Sequence, residues 1–189
     1  MFKNQKGITL VALVITIIVL LILAGVTIAM VVGDNGILTR SNQAKFENRA
    51  AEIKEKVEIS VADLAADVQV QLAKDSSFGG YNGEKLADVF ERTVGAGNVA
   101  TSAADGKYVI KVGSATVDPT DDGTSPVLSN TSSTTAQVVT IEYYDTTLRN
   151  SAKNGSSWKS SGKLTYTFSV SANLAIGNVT EGSGNDGGY

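Results

Sequence analysis

The 189-residue chain contains no cysteine and no histidine. Without cysteine, no disulfide can staple the fold, and the redox compartment leaves no mark on the sequence. Without histidine, the commonest general base and the commonest metal ligand are both missing. His-based catalytic triads and the usual zinc sites are therefore excluded. Positive charge is sparse too: 16 Lys and Arg stand against 19 Asp and Glu, a net charge of −3. Lys74, Lys153, Lys159 and Lys163 form no block suited to phosphate, so no nucleic-acid partner is expected. The chain has no phosphate-binding loop and no repeat with a period of roughly 20–50 residues.

The most consequential absence is local. From Ile8 to Val32 there is no charge, and only Thr9, Thr16, Thr27 and Gly25 interrupt a run of Val, Ile, Leu, Ala and Met. As a helix rising ~1.5 Å per residue this stretch reaches about 37 Å, enough to cross a hydrocarbon layer of ~30 Å. A soluble core helix rarely needs apolar residues on every face. The reading is a membrane segment. Ahead of it, Met1–Gly7 carries Lys3 and Lys6 and no acid, which holds that end on the cytoplasmic side and sends the rest outward. The run is too long for the apolar part of an ordinary secretory signal, although Thr27-Ile28-Ala29 would serve as a cleavage site of that kind.

The order Lys6-Gly7-Ile8-Thr9-Leu10-Val11, a small residue before the apolar run rather than after it, resembles the class III leader of type IV pilins and type II secretion pseudopilins. The likeness covers about the first 75 residues. It implies that a prepilin peptidase cuts between Gly7 and Ile8 on the cytoplasmic side and methylates the new amino terminus of Ile8. The apolar helix then stays on the mature protein as anchor and filament core, with Leu10, Ala12, Leu13, Ile17, Leu20, Ala24, Gly25 and Ile28 in that core. The resemblance also implies other pilin-like subunits as partners, and an assembly ATPase with a platform protein acting indirectly. One position departs from the pattern. The family usually has Glu as the fifth residue after the cut, where it pairs with a neighbour's terminal amine; here that residue is Ala12. Some minor subunits lack this Glu, so the departure bears on a major-subunit role more than on the family. The family's common C-terminal disulfide is ruled out by the missing cysteines.

Beyond the anchor, residues 33–189 suit one extracytoplasmic domain. Gly33-Asp34-Asn35-Gly36 breaks or bends the helix, and Asp34 or Asn35 caps the next one. Over 37–74, Phe46, Ala50, Ile53, Val57, Val61, Leu64, Val68 and Leu72 recur in steps of three and four, which predicts one apolar stripe on an amphipathic helix. Arg40, Lys45, Glu47, Arg49, Glu52, Lys54, Glu55, Lys56 and Glu58 occupy the other side, with Glu52 and Lys56 forming an i,i+4 pair. Ser76 to Gly83 reads as a loop, and Glu84–Thr93 as a short helix with Leu86, Val89 and Phe90 inward, stopped at Gly95 and Gly97. Over 104–172 short β-like runs appear: Tyr108–Val112, Ala115–Val117, Ala136–Tyr144 and Lys163–Val170. In the last, Leu164, Tyr166, Phe168 and Val170 share a face opposite Thr165, Thr167 and Ser169, as in an antiparallel sheet with one covered side. The expected fold is α+β, a long N-terminal helix packed on a small antiparallel sheet. Residues 181–189 read as a flexible tail.

Candidate chemistry is thin. Asp118, Asp121 and Asp122 bring oxygen ligands together and make a weak calcium candidate, but they miss the spacing of an EF-hand loop, and an ordinary Pro/Asp/Gly turn accounts for them. Asn130, Asn154 and Asn178 head glycosylation triplets in a chain rich in Asn, Ser and Thr. Trp158 reads as a loop plug or a surface contact. Paired carboxylates, Asp121/Asp122 or Glu142/Asp145, have no companion base or nucleophile in the sequence, so no enzyme activity and no cofactor are expected. The functional expectation is a structural filament subunit, pilus-like or secretion-like, at the cell surface. The alternative is a single-pass anchored binding or adhesion module that does not polymerise.

Overall fold

A computed structural model describes residues 5–32, 36–132, 135–151, 162–182 and 185. By internal contacts the chain divides into two units, Met1–Ala44 and Lys45–Tyr189. The expected caps Asp34 and Asn35, the triplet at Asn154 and Trp158 lie outside the described residues.

The first unit is dominated by helix α1, Gln5–Val32. Its helical backbone runs through Gly7–Ile8 without a break. From Leu10 to Val31 every side chain is exposed, and this stretch is long and apolar enough to cross a membrane. Its threonine hydroxyls are turned back into the helix: Thr16 Oγ1 donates to the Leu13 carbonyl at 2.8 Å, and Thr27 Oγ1 to that of Leu23 at 2.7 Å. The outer surface of α1 thus presents almost no unmet polar group, as a lipid solvent requires.

Helix α2 spans Ile37–Lys74. In the second unit its stripe does what the spacing predicts: Phe46, Ile53, Val57, Val61, Leu64 and Val68 are buried, with Ala50 and Leu72 packed beside them. They join one core with residues of an antiparallel sheet built from β2 (Tyr108–Val112), β3 (Ala115–Thr116), β5 (Gln137–Tyr144), β6 (Lys163–Ser171), β7 (Ala175–Ile176) and β8 (Thr180–Glu181). Strand order is β3-β2-β5-β6-β7, and β8 also pairs with β6. The register places Ile110 opposite Ile141, and Ile141 opposite Tyr166. Because side chains alternate across a strand, Leu164, Tyr166, Phe168 and Val170 all turn toward the core, while Thr165, Thr167 and Ser169 do not. The α+β expectation is met, with α2 covering one face of the sheet.

Helix α3, Gly83–Val94, begins at Asn82, whose side chain accepts a hydrogen bond from the Lys85 N–H at 2.9 Å, and ends at Gly95. Leu86, Val89 and Phe90 are buried, as the spacing predicts.

Three segments differ from the sequence reading. The presumed loop at 76–83 contains strand β1 (Gly80–Tyr81), paired with β4 (Leu128–Ser129). Gly80 sits at φ +122, and an added Cβ there would lie 2.0 Å from the Leu128 carbonyl oxygen, so only glycine lets the two strands meet. A short helix α4, Thr146–Ser151, follows β5. The β-region does not stop at 172, and the tail is not free from 181. Glu181 belongs to β8 and reaches Lys54 at 2.6 Å. Asn185 is buried, its amide accepting from the Thr165 N–H (2.9 Å) and donating to the Thr165 carbonyl (2.7 Å). The physical reason is the exposed edge of β6: its unpaired backbone groups need partners, and the Gly/Ser/Asn-rich tail supplies them.

Candidate functional site

The most extensive unsatisfied surface in either unit is that of α1. Leu10, Leu13, Ile17, Leu20, Ala24 and Ile28 fall on one side of a 3.6-residue period, all exposed. Ala12 and Gly25 fall to either side of this line, and Gly25 has nothing within 4 Å of where a Cβ would be. The eight positions expected in a filament core are thus spread over more than one side of a helix that is apolar all round. Removing such a surface from water, into lipid or against other apolar surfaces, is favourable.

Helix α2 presents a second exposed line that sequence periodicity did not reveal. Opposite the core stripe lie Ile59 (45% exposed), Ala62, Ala66, Val70 (47% exposed) and Ala73. The charges assigned to the outward face all precede residue 59. Past it, Asp63 and Asp67 turn toward α3, where Asp63 accepts from Thr93 Oγ1 (2.9 Å), and Asp67 from Tyr81 Oη (2.9 Å) and Arg92 Nη1 (3.1 Å). The available signal was that change in charge density along one helix. Beside this line, Val61, Ala62, Ala65, Ile176 and Val179 edge an open groove of about 410 Å³ with Glu58 and Asn178 at its rim.

The charged side of α2 is partly structural rather than wholly solvated. Arg49 Nε donates to Asp145 Oδ2 at 3.0 Å, Nη1 to Glu52 at 2.7 Å, and Nη2 to the Tyr143 hydroxyl, while the guanidinium lies 5.4 Å from the Tyr143 ring centre. Asp145 also accepts from the Thr147 N–H at 2.9 Å, capping α4. Burial works against the charged form of Asp145, but the bonds from Thr147 and Arg49 outweigh it and hold its carboxyl below the usual range. The expected Glu52–Lys56 pair is present at 2.7 Å.

Glu142 and Asp145, one of the carboxylate pairs considered for chemistry, are already engaged. Glu142 is clasped by Lys111 and Lys163, both at 2.8 Å, and by the Tyr144 hydroxyl at 2.8 Å. Burial opposes its ionisation, yet these donors bring its pKa down to about 2. A carboxylate held this firmly as an anion is a counter-ion, not a poised acid.

The acidic turn that offered a weak calcium candidate uses most of its oxygens on its own backbone and on α3. Asp118 Oδ1 is taken by the N–H (2.8 Å) and hydroxyl (2.7 Å) of Thr120, which also hold its carboxyl below the usual range. Asp121 Oδ1 accepts from the Gly123 N–H at 3.0 Å. Among the described residues no three Asp or Glu converge on a point that could hold an ion, Asp122 included. The turn instead supports α3: the Asp121 carbonyl accepts from the Glu84 N–H at 2.9 Å, and that of Gly123 from Asn82 Nδ2 at 3.0 Å. Asn130 spends its amide on the Phe78 carbonyl at 2.7 Å, a loop clamp within its triplet.

No family model, curated protein or solved structure matches the chain.

Proposed function

We propose that the chain is a structural subunit of a pilus-like or secretion-like filament, cut between Gly7 and Ile8 and assembled through its α1 helices. The observation that carries this reading is the uncovered, charge-free stretch Leu10–Val31 of α1, which follows Lys6-Gly7-Ile8 in the same helix and precedes a folded α+β unit. Extracted from a bilayer, Leu10–Val31 would expose an apolar surface that only neighbouring helices can cover, so a filament replaces lipid with protein as solvent. Such contacts are head-to-tail and do not close on themselves. The line Ile59–Ala73 on α2 supports the reading, because it offers neighbouring copies an apolar contact outside the membrane. The chain's own part is binding and positioning, and the energy for extraction comes from an ATPase and platform partner.

Mass spectrometry of the mature protein tests this. The expected amino terminus is N-methylated Ile8; a start at Met1 or near Met30 overturns the reading. The same apolar stretch Leu10–Val31 also fits a second reading, an anchored binding module that never polymerises. Retention of residues 1–7 in the mature protein would select it.

A further inference from the structure

The two helical turns after the apolar span carry a surface that neither the fold nor filament assembly uses. Ile37 is 71% exposed, more than any other described large hydrophobic, and Leu38 is 54% exposed. Between Gly36 and Phe46 the chain has Arg40 and Lys45 and no acid. Both basic residues are exposed, and neither has an ion-pair partner among the described residues. Ile37–Ala44 also groups with the span in the first unit, not with the folded unit that begins at Lys45. Chain length limits how far this segment can stand from the span: five residue steps separate Val32 from Ile37, at most about 18 Å of extended chain. Helical side chains tilt toward the helix N-terminus, so Arg40 leans back along the chain toward the span.

We propose that Ile37, Leu38 and Arg40 dock on the anionic phospholipid headgroups at the non-cytoplasmic end of the span. The proposal rests on the membrane reading of α1. Apolar residues next to unpaired basic ones, with no acid among them, match an interface whose acyl boundary lies beneath a layer of phosphates. Guanidinium geometry suits phosphate oxygens, and a basic residue near an anionic surface is worth about 1 kcal/mol, roughly a fivefold gain in occupancy. The docked turns would hold the base of the subunit at the membrane until assembly pulls α1 out, which makes retention sensitive to lipid charge and salt.

The chain is free of cysteine, so one introduced cysteine is a unique label. Full-length Ile37→Cys, Ile17→Cys and Glu55→Cys proteins are placed in phosphatidylcholine nanodiscs, with or without phosphatidylglycerol, and treated with a charged maleimide. The expected result is Ile37→Cys labelling slowed about fivefold by phosphatidylglycerol, with the effect removed by salt or by Arg40→Gln. Glu55→Cys should react equally fast in both lipids. Ile37→Cys reacting as fast as Glu55→Cys in both lipids overturns the docking and leaves the span intact, provided Ile17→Cys stays protected. Equal protection in both lipids, or in detergent, points to a protein contact and overturns it as well. Should Ile17→Cys also react freely, the membrane reading fails and takes the docking with it. Ile37 and Arg40 are exposed, so an unchanged melting temperature serves as the folding control for these variants.

Discussion

Helices α1 and α2 are both long, and both carry many aliphatic residues, yet they solve the same problem in opposite ways. In α2 the buried apolar residues form one stripe, and the chain supplies its own cover: Leu64 and Ile53 lie in one core with Ile141, Tyr166 and Phe168. In α1 they surround the axis, and the chain covers none of Leu10–Val31. The stability of α2 is therefore an internal property of the folded unit, whereas the free energy of α1 depends on which molecules surround it.

The comparison can be broken at several strengths. Leu64→Ala should have the largest effect, costing about 2–5 kcal/mol of folding stability because it opens a cavity where no side chain can collapse; denaturant unfolding of the full chain in detergent measures it. Leu20→Lys, at the middle of the apolar run, should leave that unfolding curve unchanged but impose about 2.5–3.5 kcal/mol on insertion. Loss of the protein from the membrane fraction would be the readout, and a shifted unfolding curve would mean that α1 leans on the folded unit after all. Arg49→Ala should cost about 1.5–3 kcal/mol by removing the charged donor on Asp145, again without affecting insertion.

Acid gives a further, graded test. Glu142 and Asp145 both have depressed carboxyl pKa values in the folded state, so the unfolded chain binds more protons than the native one at low pH. Their contribution is present above the ordinary carboxylate range and is lost as pH falls. For Glu142 the window runs from 4.5 down to about 2. Melting should be flat near neutrality and drop through that window, and Glu142→Gln should flatten the drop. The smallest effect belongs to Lys56→Gln, which removes an exposed i,i+4 pair worth about 0.2–0.5 kcal/mol; a much larger loss would mean that the charged side of α2 is already in contact with something.

Much of the architecture was legible because it is periodic. The steps of three and four from Phe46 to Leu72, and the alternation from Leu164 to Val170, each repeat often enough to identify both the element and its inward face. What could not be read is non-periodic. Strands β1, β4, β7 and β8 have two residues each, too few to show alternation, and they exist only because another strand presents open backbone groups. The tail has the composition of a linker, yet Glu181, Gly182 and Asn185 close the edge of β6. The fork from Arg49 to Asp145 joins residues 96 positions apart, a distance no local pattern spans. The outward line on α2 is made mostly of alanine, whose low hydrophobicity hides an apolar face until burial shows which side the core has taken.

The sequence by itself determined that one 25-residue stretch must find an apolar environment and that another helix must cover a sheet. Composition and period are properties of the chain before it folds, and burial free energy acts on them directly. Only the tertiary structure decided which carboxylates became counter-ions, where the acidic turn spent its oxygens, and how the sheet edge was closed. Those outcomes depend on groups far apart in sequence competing for the same hydrogen bonds, and that competition is settled when the core brings them together.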